Sequence, residues 1–378
     1  MGKFGCSIRC IFVDLVNIYK QYGAELFEQK RDEYLQNKKE TNIEAYYNMS
    51  VEKIEKALEF IVSCVDSLTC ENEMKMECYF NQSEPAFIHD KVNLQLFNFE
   101  YADRLYQFAQ EYGLDMRIHT IVWYRHVPRQ LTKYIEGRSP DDKRKLTLDF
   151  IRAYMTCLKE RYPRCYCVDV INEMAADPAE LNDLKSKNLP KYEYDDEGIR
   201  MDFWYKVLGK HYYIDIFIMA REVFGQEVKL FYNDNNEGNK EKQKIFRKIF
   251  DNFNKYEQEN GVKIFDGFGM QCHFWGDETE NSKFMTDMLD FYTSQGFDIQ
   301  ITEFDVSNHS SKEQQIQIFK DFICVVKNYN ITAFTMWGLN DELSWLADEE
   351  PLLVDKDYNL KEFAGDYIRH FTNKKIYN

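Results

Sequence analysis

Cys167-Val168-Asp169-Val170-Ile171-Asn172-Glu173 (CVDVINE) is a short apolar run that stops at a carboxylate, and it reads as a β-strand over Cys167–Asn172. Ile299-Gln300-Ile301-Thr302-Glu303-Phe304-Asp305 repeats the pattern, with the strand over Ile299–Thr302 and a glutamate at its carboxyl end. Working outward, six more runs have this character: Phe4–Ile11, Val65–Thr69, Met116–Trp123, Val228–Tyr232, Phe265–Gln271 and Ile331–Trp337. Amphipathic stretches separate them at Val51–Ile61, Tyr101–Tyr112, Leu146–Arg161, Tyr205–Phe224, Lys240–Asn260, Lys283–Gln295 and Lys312–Tyr329. In Tyr101–Tyr112 the residues Leu105, Phe108 and Ala109 make an i, i+3, i+4 stripe. Strand–helix alternation eight times over predicts an α/β fold of the closed (β/α)8, or TIM-barrel, class. An open doubly wound sheet would want a glycine-rich phosphate loop after its first strand. Here neither Gly2 nor Gly5 follows that strand, and no GxGxxG occurs. No linker or repeat divides residues 1–378, so one domain is expected. The charged segment Gln21–Asn48 reads as an exposed, partly helical insertion between strands one and two.

Composition narrows the function. A net charge of −16 repels nucleic acid and anionic membrane surfaces, which favours a neutral substrate. Aromatic residues make up 16% of the chain, enough to fill a core and still leave rings for stacking on sugars. No apolar run is long enough to span a bilayer. The first residues do not make a convincing signal peptide, since Arg9 and Asp14 interrupt the apolar stretch. The expectation is therefore an intracellular protein, or a secreted one whose leader has been removed. Ten cysteines in a chain of this size need no disulfide framework, and their spacing matches no paired CxxC zinc site. Buried, reduced thiols are expected, with no metal and no organic cofactor.

In a (β/α)8 barrel the chemistry sits where strands end. Polar and aromatic residues gather at seven of the eight strand ends: Glu71, Asn72 and Lys75; His119 and Trp123; Asn172 and Glu173; Asn233 and Asp234; Gln271 and His273; Glu303 and Asp305; and Trp337. Strand alternation puts Gln271 with His273, and Glu303 with Asp305, on common faces. Taken singly, Trp337 and Trp345 fit core rings, His119 a satisfied buried histidine, Lys75 a solvated lysine and Asp305 a cap. Joint placement at one barrel mouth points to a site instead. Two carboxyls facing one cavity are the minimal equipment for cleaving a glycosidic bond. One protonates the leaving oxygen while the other attacks, or activates water, from the opposite side.

These motifs carry a resemblance. TCENEMK at Thr69–Lys75, HTIVW at His119–Trp123, DVINE at Asp169–Glu173, YND at Tyr232–Asp234, GMQCH at Gly269–His273, ITEFD at Ile301–Asp305, WGLNDELSW at Trp337–Trp345 and LLVD at Leu352–Asp355 resemble, in order, glycoside hydrolase family 10, the (β/α)8 endo-1,4-β-xylanases. The resemblance runs from Phe4 to about Phe371. It implies a retaining endo-1,4-β-xylanase acting on xylan or xylo-oligosaccharides, with Glu173 as general acid/base and Glu303 as nucleophile. It further implies that His273 and Asp305 orient the nucleophile and that Asn172 bonds the sugar 2-hydroxyl. Glu71, Asn72 and Lys75 would bind the second sugar on the non-reducing side, while His119, Trp123, Gln271, Trp337 and Trp345 would wall the reacting sugar.

The chain departs from the family pattern at several places. After strand three, Tyr124 replaces a histidine, His126 a glutamine and Gln130 a tryptophan; His126 thus falls at the second non-reducing-side sugar and bears on xylose-versus-glucose choice. Asn235 stands where a tyrosine often forms a leaving-group platform, leaving Tyr192, Tyr194 or Trp275 to supply one. Leu346 stands where arginine commonly follows Trp345. Two other readings stay open: a retaining hydrolase of another β-linked glucan or of short xylo-oligosaccharides, and an inactive sugar-binding barrel. Oligomeric state is not legible.

Overall fold

The computed structural model describes residues 2–38, 43–177, 193–372 and 374. Eight parallel strands form the barrel: β1 (Lys3–Ile8), β2 (Ser67–Cys70), β3 (Asp115–Trp123), β4 (Cys165–Asn172), β5 (Lys229–Asp234), β6 (Gly267–Met270), β7 (Asp298–Val306) and β8 (Ile331–Met336). Each pairs with its neighbours in sequence. Closure comes from β8, which pairs with β7 on one side and with β1 on the other, Lys3 opposite Ala333 and Cys6 opposite Met336. The sheet therefore has no open edge through the barrel. A two-residue strand, His273–Phe274, runs beside the end of β7 and sets His273 opposite Asp305.

All eight expected strands are present, with boundaries that differ in instructive ways. The expected first strand reached Ile11, but β1 stops at Ile8 and a helix begins at Cys10, whose backbone N–H donates to the Glu73 carboxylate (2.7 Å). The apolar run simply continues into that helix, burying Ile11, Phe12, Val13, Leu15 and Val16. An apolar run without periodicity cannot show where strand gives way to helix. Helix Cys10–Leu35 is interrupted at Gly23, whose backbone is non-helical (φ 70°). Within Gln21–Asn48, Phe27, Leu35 and Tyr46 are buried while most of their neighbours face solvent. The expected helix Tyr205–Phe224 is two helices, Phe203–Leu208 and Tyr212–Phe224, broken where Gly209 takes φ 90°.

The aromatic richness is spent largely on the layer between strands and helices. On helix Lys240–Asn260, Phe246, Phe250 and Phe253 face inward at helical spacing. Phe253 stacks on Phe265 with centroids 4.4 Å apart, and Phe268 stacks on Tyr292 at 4.8 Å. The barrel strands are buried along almost their whole length, so each barrel helix needs one apolar face to cover them.

Between β6 and β7 the backbones come closer than a side chain permits. A Cβ at Gly267 would lie 2.2 Å from the Asp298 carbonyl oxygen and 2.6 Å from Phe231. Because a backbone carbonyl in a closed sheet cannot swing away, Gly267→Ala is expected to cost about 1–3 kcal/mol, the usual scale of overpacking. Urea denaturation checks this; a loss below about 0.5 kcal/mol would mean that the strands re-space freely.

Candidate active site

Strand β4 delivers Glu173 to the barrel mouth on an unusual backbone. Glu173 sits in the left-handed region at φ 54°, held there by its N–H donating to the Asn233 carbonyl (2.9 Å). The Ala175 N–H is tied to the Tyr232 hydroxyl (3.2 Å) and the Asp234 carboxylate (3.3 Å). Such a conformation costs on the order of 1 kcal/mol and persists only where its surroundings over-determine it. The Glu173 carboxylate then meets two donors, the Trp123 indole N–H on Oε2 (2.9 Å) and the Gln271 amide on Oε1 (2.9 Å).

Glu303, at the mouth end of β7, has a different neighbourhood. Its Oε1 accepts from Asn233 Nδ2 (2.7 Å), and its Oε2 faces His273 Nε2 (3.3 Å). The other ring nitrogen of His273 bonds Asp305 Oδ1 (2.8 Å), and Asp305 Oδ2 accepts from the Trp345 indole (2.7 Å). Burial alone would raise the Glu303 pKa. His119, His273 and Lys75 outweigh it and hold the carboxyl below its ordinary range. Burial likewise disfavours the His273 imidazolium, yet Asp305 and then Glu303 hold its pKa well above 6.5. The result is a cation clasped between two carboxylates.

Asn233 and Asn172 knit the two glutamates together. Facing one another across β4 and β5, they share a bond from Asn233 Nδ2 to Asn172 Oδ1 (2.8 Å). Thr302 donates to Asn233 Oδ1 (2.6 Å), which fixes that amide's orientation. Asn172 Oδ1 also accepts from Gln271 (3.4 Å), so its NH2 group is the end left for the cleft that Asn172 lines. Beneath them lies a fully buried pair. The Arg117 guanidinium grips both oxygens of Asp169, Nε at 2.8 Å, and Asp169 Oδ2 also meets His119 Nδ1 (3.0 Å). That contact turns His119 Nε2 toward Glu303 Oε1, 3.9 Å away. Burial works against the ionised Asp169, but Arg117 and His119 hold its pKa below the usual carboxylate range.

A cleft of about 400 Å3 opens over these groups. It is lined by Glu173, Glu303, His273, Lys75, His119, Trp123, Asn172, Gln271, Trp337 and Trp345 from the residues expected from sequence. Asp305, Glu71, Asn72 and His126 stand behind this lining. Asn72 accepts from Lys75 Nζ (3.2 Å) and donates to Glu71 (3.2 Å), while burial raises the Glu71 pKa despite Arg9 and Lys75. His126 packs flat on Trp123. Sequence reasoning missed Arg125, Asp177, Arg200, Asn236 and Lys242 in the lining, and Arg117 and Asp169 below it. A signal for the last two existed: charged residues inside otherwise apolar strand runs. Of the alternative platforms, Trp275 lines the cleft and is 55% exposed, and Tyr194 lies in contact with Arg200; Tyr192 lies outside the described residues. All ten cysteines are free thiols, and among the described residues no group of three or more His, Cys, Asp or Glu side chains could hold a metal ion.

The model of glycosyl hydrolase family 10 matches residues 32–366, and the chain belongs to that family. It is 31% identical over 380 residues to endo-1,4-beta-xylanase A of Thermotoga neapolitana, an alignment covering 93% of this chain and 32% of that protein. It thus spans about a third of the length of that relative. Endo-1,4-beta-xylanase A of Caldicellulosiruptor saccharolyticus is 29% identical, with 78% of this chain and 81% of the relative covered. Among solved structures, the fold matches an endo-1,4-beta-D-xylanase of Clostridium thermocellum complexed with xylohexaose, at TM-score 0.71 and 22% identity, over 98% of this chain and 66% of that one.

The His273 clasp has a pH consequence. A folded pKa raised above the unfolded value adds stability that is complete below about pH 6.5 and fades as pH rises through the folded value. In an NMR titration, His273 is expected to remain protonated at neutral pH, and Asp305→Asn to bring its titration down toward the ordinary value. A wild-type His273 that titrates near 6.5 would show that the clasp is not kept in solution.

Proposed function

We propose that this chain is a retaining endo-1,4-β-xylanase, with residues 1–378 acting as one catalytic barrel. The observation that carries the reading is the asymmetry between its two carboxylates. Glu303 is held ionised by cationic and amide neighbours, as a nucleophile must be, whereas Glu173 lies across the cleft among neutral N–H donors. The names of the relatives and the oligosaccharides bound to structural neighbours support xylan and xylo-oligosaccharides as substrate.

In the first step a Glu303 oxygen bonds to the anomeric carbon as the glycosidic C–O bond breaks, and the proton carried by Glu173 passes to the leaving oxygen. Glu303 is then an ester and has lost its charge. In the second step Glu173, now a carboxylate, takes a proton from water. The water oxygen attacks the same carbon, the ester bond to Glu303 breaks, and the β configuration is restored. Asn172 presents its NH2 to the 2-hydroxyl, and His273, anchored by Asp305, keeps the nucleophile oriented. Lys75, His119, Trp123, Gln271, Trp337 and Trp345 enclose the sugars on the non-reducing side, backed by Glu71, Asn72 and His126. An inactive sugar-binding barrel would not need this complete set. Action on another β-linked glucan is distinguished by comparing aryl β-xylobioside with aryl β-cellobioside.

Single substitutions separate the roles. Glu303→Ala is expected to abolish turnover of every substrate. Glu173→Ala should keep a burst of aryl release from substrates with good leaving groups, then turn over slowly, with azide restoring the second step. Its hydrolysis of xylan should fall by roughly 10²–10⁴-fold. Azide rescue of Glu303→Ala with retained configuration, alongside outright loss of aryl release in Glu173→Ala, would exchange the assignments.

On the leaving-group side, Trp275 takes the place of the platform that Asn235 cannot offer. Its loop is rigid: the N–H groups of Trp275, Gly276 and Asp277 all donate to the Glu280 carboxylate at 2.9–3.1 Å. Trp275→Ala is expected to lower kcat/KM on xylotetraose by about tenfold, the scale of one stacking contact, while sparing aryl xylobioside. Equal effects on both substrates would remove Trp275 from that site.

A further inference from the structure

Behind the wall that holds Glu173 lies a close pair of side chains, Cys78 and His126, of which the scheme above uses only the histidine, as backing for the sugars. Cys78 Sγ is 3.3 Å from His126 Nδ1 and 4.0 Å from Nε2, so the thiol addresses the δ nitrogen. The His126 ring lies nearly parallel to the Trp123 indole, with centroids 4.9 Å apart and planes 22° from parallel. A tight turn holds the two together, the His126 N–H donating to the Trp123 carbonyl at 3.2 Å. The Trp204 indole N–H bonds that same carbonyl at 3.1 Å. The indole so backed donates its N–H to Glu173 Oε2 at 2.9 Å.

The chemistry of the pair excludes a nucleophilic cysteine. Burial pushes the Cys78 thiol up to about 11, and burial together with Lys75 pulls His126 down to about 4. At working pH both are neutral, so the contact joins a thiol to a neutral imidazole rather than a thiolate to an imidazolium.

We propose that Cys78 and His126 are positioning residues for Glu173: the thiol pins the imidazole, the imidazole pins the Trp123 indole by stacking, and the indole aims its N–H at the carboxyl. Trp123 can only donate, so the angle of its ring decides whether Glu173 keeps this partner through both steps. The inference rests on the acid/base role given to Glu173 above. A change that lets the indole rock weakens proton delivery and leaves the nucleophile untouched.

The test compares Cys78→Ala, Cys78→Ser and His126→Ala on two probes, xylotriose, whose leaving group needs protonation, and 2,4-dinitrophenyl β-xylobioside, whose leaving group does not. Release of dinitrophenol is read before the steady state, so that it reports the first step alone. Cys78→Ala is expected to lose about tenfold in kcat on xylotriose, a fraction of full acid/base help, and to keep dinitrophenol release within about twofold, while His126→Ala should lose at least as much on xylotriose. Cys78→Ser, which keeps a polar hydrogen-bonding group in place, should recover most of the loss. Equal losses on both probes, or no loss on xylotriose, or a serine variant no better than alanine, would each overturn the proposal. Glu173→Gln is run alongside. If it shows the leaving-group dependence and the Cys78 variants do not, only the positioning role fails; if it does not, the acid/base reading fails and takes the positioning role with it.

Discussion

Arg117 and Asp169 face each other inside the barrel with essentially no contact with water, at 1% and 0% exposure. Desolvating two charges is costly, and their attraction repays it only when the geometry is good and the remaining donors and acceptors are engaged. Here they are: Arg117 also donates to Gln300, and Asp169 also receives His119. The pair ties β3, β4 and β7 together below the mouth. Removing one partner of such a pair costs about 3–5 kcal/mol, because the other is left charged and buried. It also orients the site, since the bond from Asp169 aims His119 at Glu303.

From that base the site rises in layers of increasing exposure, from buried Arg117 and Asp169 to half-exposed Trp345. The buried ion pair sets His119, the amides of Asn172, Asn233 and Gln271 form a hydrogen-bonded middle, and the aromatic rings of Trp123, Trp337 and Trp345 stand at the top. Trp345 is still 49% exposed although its N–H is anchored to Asp305. Such a ring combines a fixed polar end with a free apolar face, which suits it to the sugar contact proposed for it. Charge is concentrated around Glu303 and hydrogen-bond donors around Glu173. The proposed two-step mechanism relies on that division of labour.

Most of the barrel was legible because its strands are buried along their length and so read as apolar runs. The limits of legibility were local. Residues Ile11–Val16 continue the apolar character of β1, and nothing in that run marks the change from strand to the helix that starts at Cys10. Tyr205–Phe224 reads as one amphipathic stretch, yet Gly209 inside it takes φ 90° and the helix breaks there. Ala364, Tyr367, Ile368 and Phe371 are buried on a terminal helix that lies beyond the last strand and follows no further alternation. In the site, both glutamates were visible as carboxylates closing apolar runs. The exchange of bonds among Asn172, Asn233 and Gln271 was not, because it depends on inter-strand register, and register slips between Asp169 and Ile171 and again between His119 and Val122. A one-residue slip changes which side chains meet, and no single-strand pattern records it.

The seam between β1 and β8 ties the growing chain to a timetable. Cys6 finds its partner Met336 only after some 330 residues have been joined, which at about 5–20 residues per second is tens of seconds of synthesis. Throughout that interval β1 can pair with β2 on one side only, leaving a row of backbone donors and acceptors exposed to whatever strand comes by. The Glu303 strand is made last but one, so the cleft cannot assemble early and wait. For a nascent chain, the fold that ends without an edge is one that must carry an edge almost to completion.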